Sequence, residues 1–70
     1  MQVTFCLDDG GDELYSFNTS DIKGIIEASK GERVVFQDAH FEYSSHLLNH
    51  YEDDGVWKQH LNIYLKAYGK

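Results

Sequence analysis

The chain contains no proline, one cysteine, and two long stretches without a single Lys or Arg. It also has no apolar run approaching the length of a membrane span. Each absence narrows the reading. Without proline, the turns fall to Gly, Asp, Asn and Ser. One cysteine, Cys6, excludes the internal disulfides that staple small secreted domains, and a reducing cytoplasm suits it better. The N-terminus, Met-Gln-Val-Thr-Phe-Cys-Leu-Asp, has no basic segment ahead of its short apolar run and is not expected to be a signal peptide.

Basic residues are missing from 1–22 and from 34–57, and each of these stretches holds five acids. The six Lys and Arg lie in 23–33 and 58–70, against twelve acids in the whole chain and a formal charge of −6. Direct binding to nucleic acid or to an anionic membrane needs basic patches, so neither is expected. Docking to a basic protein surface remains open.

What is present argues for a fold. Ten aromatic residues and a 41% apolar content separate the chain from disordered sequences. Seventy residues are expected to form a single compact domain spanning 1–70. A chain of that size buries roughly 60% of its unfolded surface and holds only a few kcal/mol of stability.

Residues 2–7 alternate, with Val3, Phe5 and Leu7 on one side, and predict a strand. Asp8-Asp9-Gly10-Gly11-Asp12 is a turn, and 13–18 alternate again, so the first 18 residues predict a β-hairpin. Asn18-Thr19-Ser20-Asp21 supplies helix-capping oxygens. Ile22, Ile25, Ile26 and Ser29 then follow helical spacing up to a stop at Gly31. Gly24 inside this helix suggests close approach to a sheet.

Arg33–Gln37 predicts a third strand. Residues 38–44 fit either a fourth, edge strand or a loop. Ser44-Ser45 caps an expected short helix over 46–52, with Leu47, Leu48 and Tyr51 on its apolar side. Asp53-Asp54-Gly55 interrupts the chain. Val56, Trp57, His60, Leu61, Tyr64, Leu65 and Tyr68 then keep a 3.6-residue spacing that predicts a final helix. The expected fold is therefore α+β, in the order β-β-α-β-(β)-α-α. A small antiparallel sheet of three or four strands carries helices packed on one face.

No catalytic constellation survives inspection, and an enzyme is not expected. Cys6 sits mid-strand without an activating neighbour, and a buried, inert thiol is the ordinary explanation. The serines lack a nucleophile-elbow pattern. His46 and His50, at i and i+4 of the expected helix, have metal-ligand spacing, and His40, His60 or Glu42 would have to complete a site. Position 47 is Leu where a zinc protease carries its Glu, and paired helical histidines are common without metal. A His-dependent metal-binding protein is one alternative; otherwise no metal and no cofactor is expected. The Asp8–Glu13 segment lacks the ligand order of a calcium loop and is better explained as a solvated turn.

Acids at the start of the expected last helix, Glu52, Asp53 and Asp54, complement its dipole. Asp8, Asp9, Asp12, Glu13, Glu32, Asp38 and Glu42 have no such local explanation. A row of these carboxylates on a rigid domain would imitate DNA phosphates and occupy the Lys/Arg groove of a nucleic-acid-binding protein. Tyr15 or Tyr43 would add aromatic contacts.

In its length, its two base-free acidic stretches and its lack of a catalytic motif, the whole chain resembles the small phage-encoded anti-CRISPR proteins. Many of these are short acidic domains, and some block the DNA- or PAM-reading surface of a CRISPR effector. The resemblance implies a monomeric inhibitor in the host-cell cytoplasm, a DNA mimic bound to an effector subunit. Its partner-binding set would be Asp8, Asp9, Asp12, Glu13, Glu32, Asp38, Glu42, Glu52, Asp53 and Asp54. The alternative is a non-enzymatic adaptor, immunity or antitoxin protein that binds through an apolar patch or a sheet edge.

Overall fold

The computed structural model describes residues 1–68. The chain runs β1 (Gln2–Leu7), β2 (Glu13–Asn18), α1 (Ile22–Gly31), β3 (Val34–Phe36), β4 (Ala39–Asp53) and β5 (Val56–Ala67). All five strands join one sheet in the order β2-β1-β5-β4-β3. The central pair, β1 and β5, is parallel, and the other neighbours are antiparallel.

The predicted hairpin forms, with Val3 opposite Phe17 and Phe5 opposite Tyr15. The helix forms as well. Asp21 caps it, its Oδ1 accepting from the Gly24 amide at 3.1 Å. A side chain at Gly24 would collide with that carboxylate, so the glycine serves the cap rather than an approach to the sheet. Ser29 is buried on the helix and donates to the Ile25 carbonyl at 2.7 Å.

The second half corrects the expected α+β fold. Neither the helix over 46–52 nor the final helix exists; both stretches are strand, and α1 is the one helix among the described residues. The sheet has five strands and is mixed, not three or four in an antiparallel set. Residues 39–43 begin β4, and Ser44-Ser45 forms no helix cap but lies at an irregularity in the β4–β5 ladder.

The physical reason lies in the pattern itself. Along β5, Leu61, Ile63 and Leu65 alternate with His60, Asn62 and Tyr64, a strand period that coexists with the helical one. Val3, Phe5 and Leu7 of β1 stand beside Leu61, Ile63 and Leu65 in parallel register. That pairing buries Val3, Leu61, Ile63 and Leu65 completely. A helix over 56–68 would have turned Ile63 away from its neighbours.

The sheet curls into a half-barrel around this core. Phe36 of β3 lies 5.6 Å from Phe5 and 6.1 Å from Tyr15, centroid to centroid, so the two edge strands meet through aromatic rings. Ile22, Ile25 and Ile26 of α1 pack against the same core.

The link between β4 and β5 is a two-residue turn, Asp54-Gly55, with φ of 51° and 77°. Two successive positive φ values mark a type I′ turn, the hairpin turn that Asp-Gly favours because glycine carries no Cβ penalty there. The hairpin is much longer than the body that supports it. β1 accompanies β5 only from His60 to Leu65, and β3 accompanies β4 only over Ala39–Phe41. Beyond these limits the hairpin projects as a two-stranded arm. The molecule accordingly measures 43 × 25 × 19 Å, with a radius of gyration of 12.7 Å. A compact chain of this length would have about 11 Å.

Candidate protein-binding arm

Every residue from Ser44 to Gln59 is exposed. Within that span stand Leu47, Leu48, Tyr51, Val56 and Trp57, five of the eight exposed large apolar residues. Trp57 is 70% exposed, the largest value among them, and Val56 is 59% exposed. Opposite residues of an antiparallel pair share a face. Glu52 pairs with Trp57, His50 with Gln59 and Leu48 with Leu61, so Leu48 and Trp57 extend the core-facing side outward. Leu47, Tyr51 and Val56 lie on the reverse side with Lys58 and Asp53. The arm is thus apolar on both faces. It ends in three acids, Glu52, Asp53 and Asp54, of which Asp53 accepts from Lys58 Nζ at 3.0 Å.

The expected carboxylate set separates into two poles. Asp8, Asp9, Asp12 and Glu13 surround the β1–β2 turn, and the Asp8 amide donates to the Leu65 carbonyl at 2.8 Å. That bond fixes the turn at the C-terminal end of β5. Glu52, Asp53 and Asp54 sit at the other end, past Val56, and nine residues of strand separate the poles by about 30 Å.

The remaining acids are interleaved with bases. Glu42 lies 3.6 Å from Lys66. Glu32, the C-cap of α1, shares with Glu42 an open cleft of about 660 Å³ that Lys30, Arg33 and His40 also line. There Arg33 stacks over Tyr68 at 4.9 Å and Lys30 over Tyr43 at 5.6 Å. Asp38 occupies the β3–β4 turn. No single carboxylate row runs through the ten positions.

The four histidines are dispersed. His46 and His50 share a strand rather than a helix turn, so four residues place them roughly 13 Å apart, beyond the span of one ion. His46 is hydrogen-bonded to the Tyr43 hydroxyl and His50 to the Gln59 amide. Among the described residues, no three His, Cys, Asp or Glu side chains gather to hold a metal. His60 Nε2 lies 2.6 Å from Thr4 Oγ1, which also meets Ser16 Oγ at 3.1 Å. Thr4 is buried, so these hydrogen bonds satisfy an interior polar group. Burial pushes the Cys6 thiol above its ordinary range, and the Glu13 carboxylate adds to the shift. Both effects keep it protonated and unreactive near neutrality.

The apolar arm is the feature that sequence reading missed. Its signal was available in Asp54-Gly55, a two-residue hairpin turn, and in the alternation of Leu61, Ile63 and Leu65 that follows it. Among the described residues no helix is long and apolar enough to cross a membrane. Comparison with known protein families, curated proteins and solved structures finds no match to this chain.

Proposed function

We propose that this chain is a non-enzymatic protein-binding module that engages a partner through the β4–β5 arm. The observation that carries the reading is the concentration of Leu47, Leu48, Tyr51, Val56 and Trp57 on a projecting ribbon, with Trp57 70% exposed. Isolated two-stranded ribbons are marginal in water, and contiguous exposed apolar surface marks interaction sites. Trp and Tyr are the residue types that dominate interface energies. An arm that is apolar on both faces suits insertion into a cleft rather than contact with a flat surface. Its acidic tip favours a cleft with a basic rim.

A photo-reactive amino acid placed at position 57, and separately at position 9, tests this in the producing cell. Adducts to one discrete protein from position 57, absent from position 9, are the expected result. Adducts from position 9 alone would overturn the arm reading.

That second outcome would favour the inhibitor reading, in which the protein occupies the basic groove of a nucleic-acid-binding protein such as a CRISPR effector subunit. One observation supports it. Asp8, Asp9, Asp12 and Glu13 crowd a single turn, and none forms an ion pair among the described residues. Binding would then weaken steeply with salt, and the triple change Asp8→Lys, Asp9→Lys, Asp12→Lys would abolish it.

A further inference from the structure

β4 offers a free edge as well as exposed faces. β5 lies along one side of it from Phe41 to Asp53, and β3 covers the other side only as far as Phe41. From Ser45 to Asp53 the outer edge has no strand beside it among the described residues. Proteins ordinarily blunt such an edge with Lys, Pro or a bulge. Here there is no Lys, Arg or Pro between Arg33 and Lys58, and the one ladder irregularity, at Tyr43/Ser45, lies at the base of the exposed stretch.

Charge identifies the occupant. The chain carries −6, yet Ser44 to Tyr51 contains no Asp, Glu, Lys or Arg. This is the part of an acidic molecule that a second copy approaches with least repulsion. The order of residues about Leu48 is also self-complementary. In an antiparallel pairing centred there, Leu48 meets Leu48 of the second copy, His46 meets His50, and Ser45 meets Tyr51. Glu52 then faces Ser44 and Asp53 faces Tyr43, so no two acids within β4 stand opposite each other, and Glu42 meets only Asp54 of the turn. Centring on Leu47 instead sets Glu42 against Glu52 at both ends, a like-charge pairing that destabilises a sheet. Centring on Asn49 sets Leu48 against His50 and Leu47 against Tyr51, and loses the leucine pair at the twofold axis.

We propose that two copies of this chain pair antiparallel along the β4 edge, centred on Leu48, so that one sheet runs through both. The pairing uses the edge of β4 and not the faces of the arm, so it stands or falls apart from the partner reading above. It also departs from the monomer expected from sequence. A strand pairing of this length lies at the small end of protein interfaces, below about 1,200 Å², the class of weak and transient contacts.

Sedimentation equilibrium of the full chain in reducing buffer, from low to high micromolar, tests it. The wild type should pass from monomer to dimer. Leu48→Lys and Leu48→Glu each set like charges against each other at the twofold axis and should weaken the dimer about tenfold or more. An equimolar mixture of the two should restore it. A wild-type monomer at every concentration overturns the proposal, and so do dimers that persist in both variants. Failure of the folded mixture to associate overturns the register.

Should either variant fail to fold, amide exchange of the wild type decides. Protection that grows with concentration over 45–52 supports the pairing. Growth confined to the edge formed by β2, or none, overturns it.

Discussion

β5 is two kinds of strand in one. From His60 to Leu65 it runs between β1 and β4, and Leu61, Ile63 and Leu65 are wholly buried. From Val56 to Gln59 only β4 accompanies it, and every residue is exposed. The chemistry of the two halves is similar: Val56 and Trp57 are as apolar as Leu61 and Ile63. The number of flanking strands differs, and with it what the apolar side chains can do. In the body they stabilise the fold. In the arm they face solvent.

Substitutions should respect this division. The largest effect belongs to the body. Leu61→Ala removes a fully buried side chain between two strands and should cost about 3 kcal/mol, enough to unfold most of a domain this small. Urea denaturation would measure it, and a loss below about 1 kcal/mol would mean the core is not where β1 and β5 meet.

Next comes the helix cap. Asp21→Ala should cost about 1 kcal/mol. Gly24→Ala should fail to bring the roughly 1 kcal/mol gain usual for a helix interior, because the new methyl displaces the Asp21 carboxylate. A clear rise in stability on Gly24→Ala would show that the cap does not constrain this glycine.

Excision of the arm should cost less. Deleting 50–53 and 56–59 leaves Asn49-Asp54-Gly55-His60, the same turn closed on a pair already opposite in the ladder. The melting temperature should change by only a few degrees, while dimerisation disappears. Collapse of the fold would show that the arm supports the body.

The smallest effect is expected for Trp57→Ala, within about 0.5 kcal/mol in stability because the ring is largely in solvent. Its effect on partner capture should nevertheless be among the largest. A pH series adds a check on the body. Cys6 has a raised pKa when folded, so the unfolded chain loses the thiol proton first. Stability should therefore fall as pH rises past the ordinary thiol range of about 8.5, and Cys6→Ser should remove that slope.

The first half of the chain was legible because each of its signals is local. Val3, Phe5 and Leu7 alternate without a competing period, the acidic Gly-Gly segment makes a turn, and Asp21 caps the helix by reaching three residues ahead. The second half was not legible by the same means. Val56, Trp57, His60, Leu61, Tyr64 and Leu65 satisfy a helix, while Trp57, Leu61, Ile63 and Leu65 satisfy a strand. Periodicity does not decide between them. The Asp-Gly pair favoured the hairpin, but its weight depended on reading both flanks as strands. The exposed arm was missed for the same reason, since an apolar helix face would have been buried, whereas the ribbon presents those side chains on both sides.

By itself, the amino-acid order determined the charge balance, the β1–β2 hairpin, the capped helix and the turn chemistry at Asp54-Gly55. These depend on bonds and contacts within a few residues. Tertiary structure alone decided that 46–53 and 56–67 are strand, which part of them is core, and where the acids lie. Those outcomes depend on β1 lying beside His60–Leu65 and stopping there, because burial of an alternating face requires a neighbour on each side.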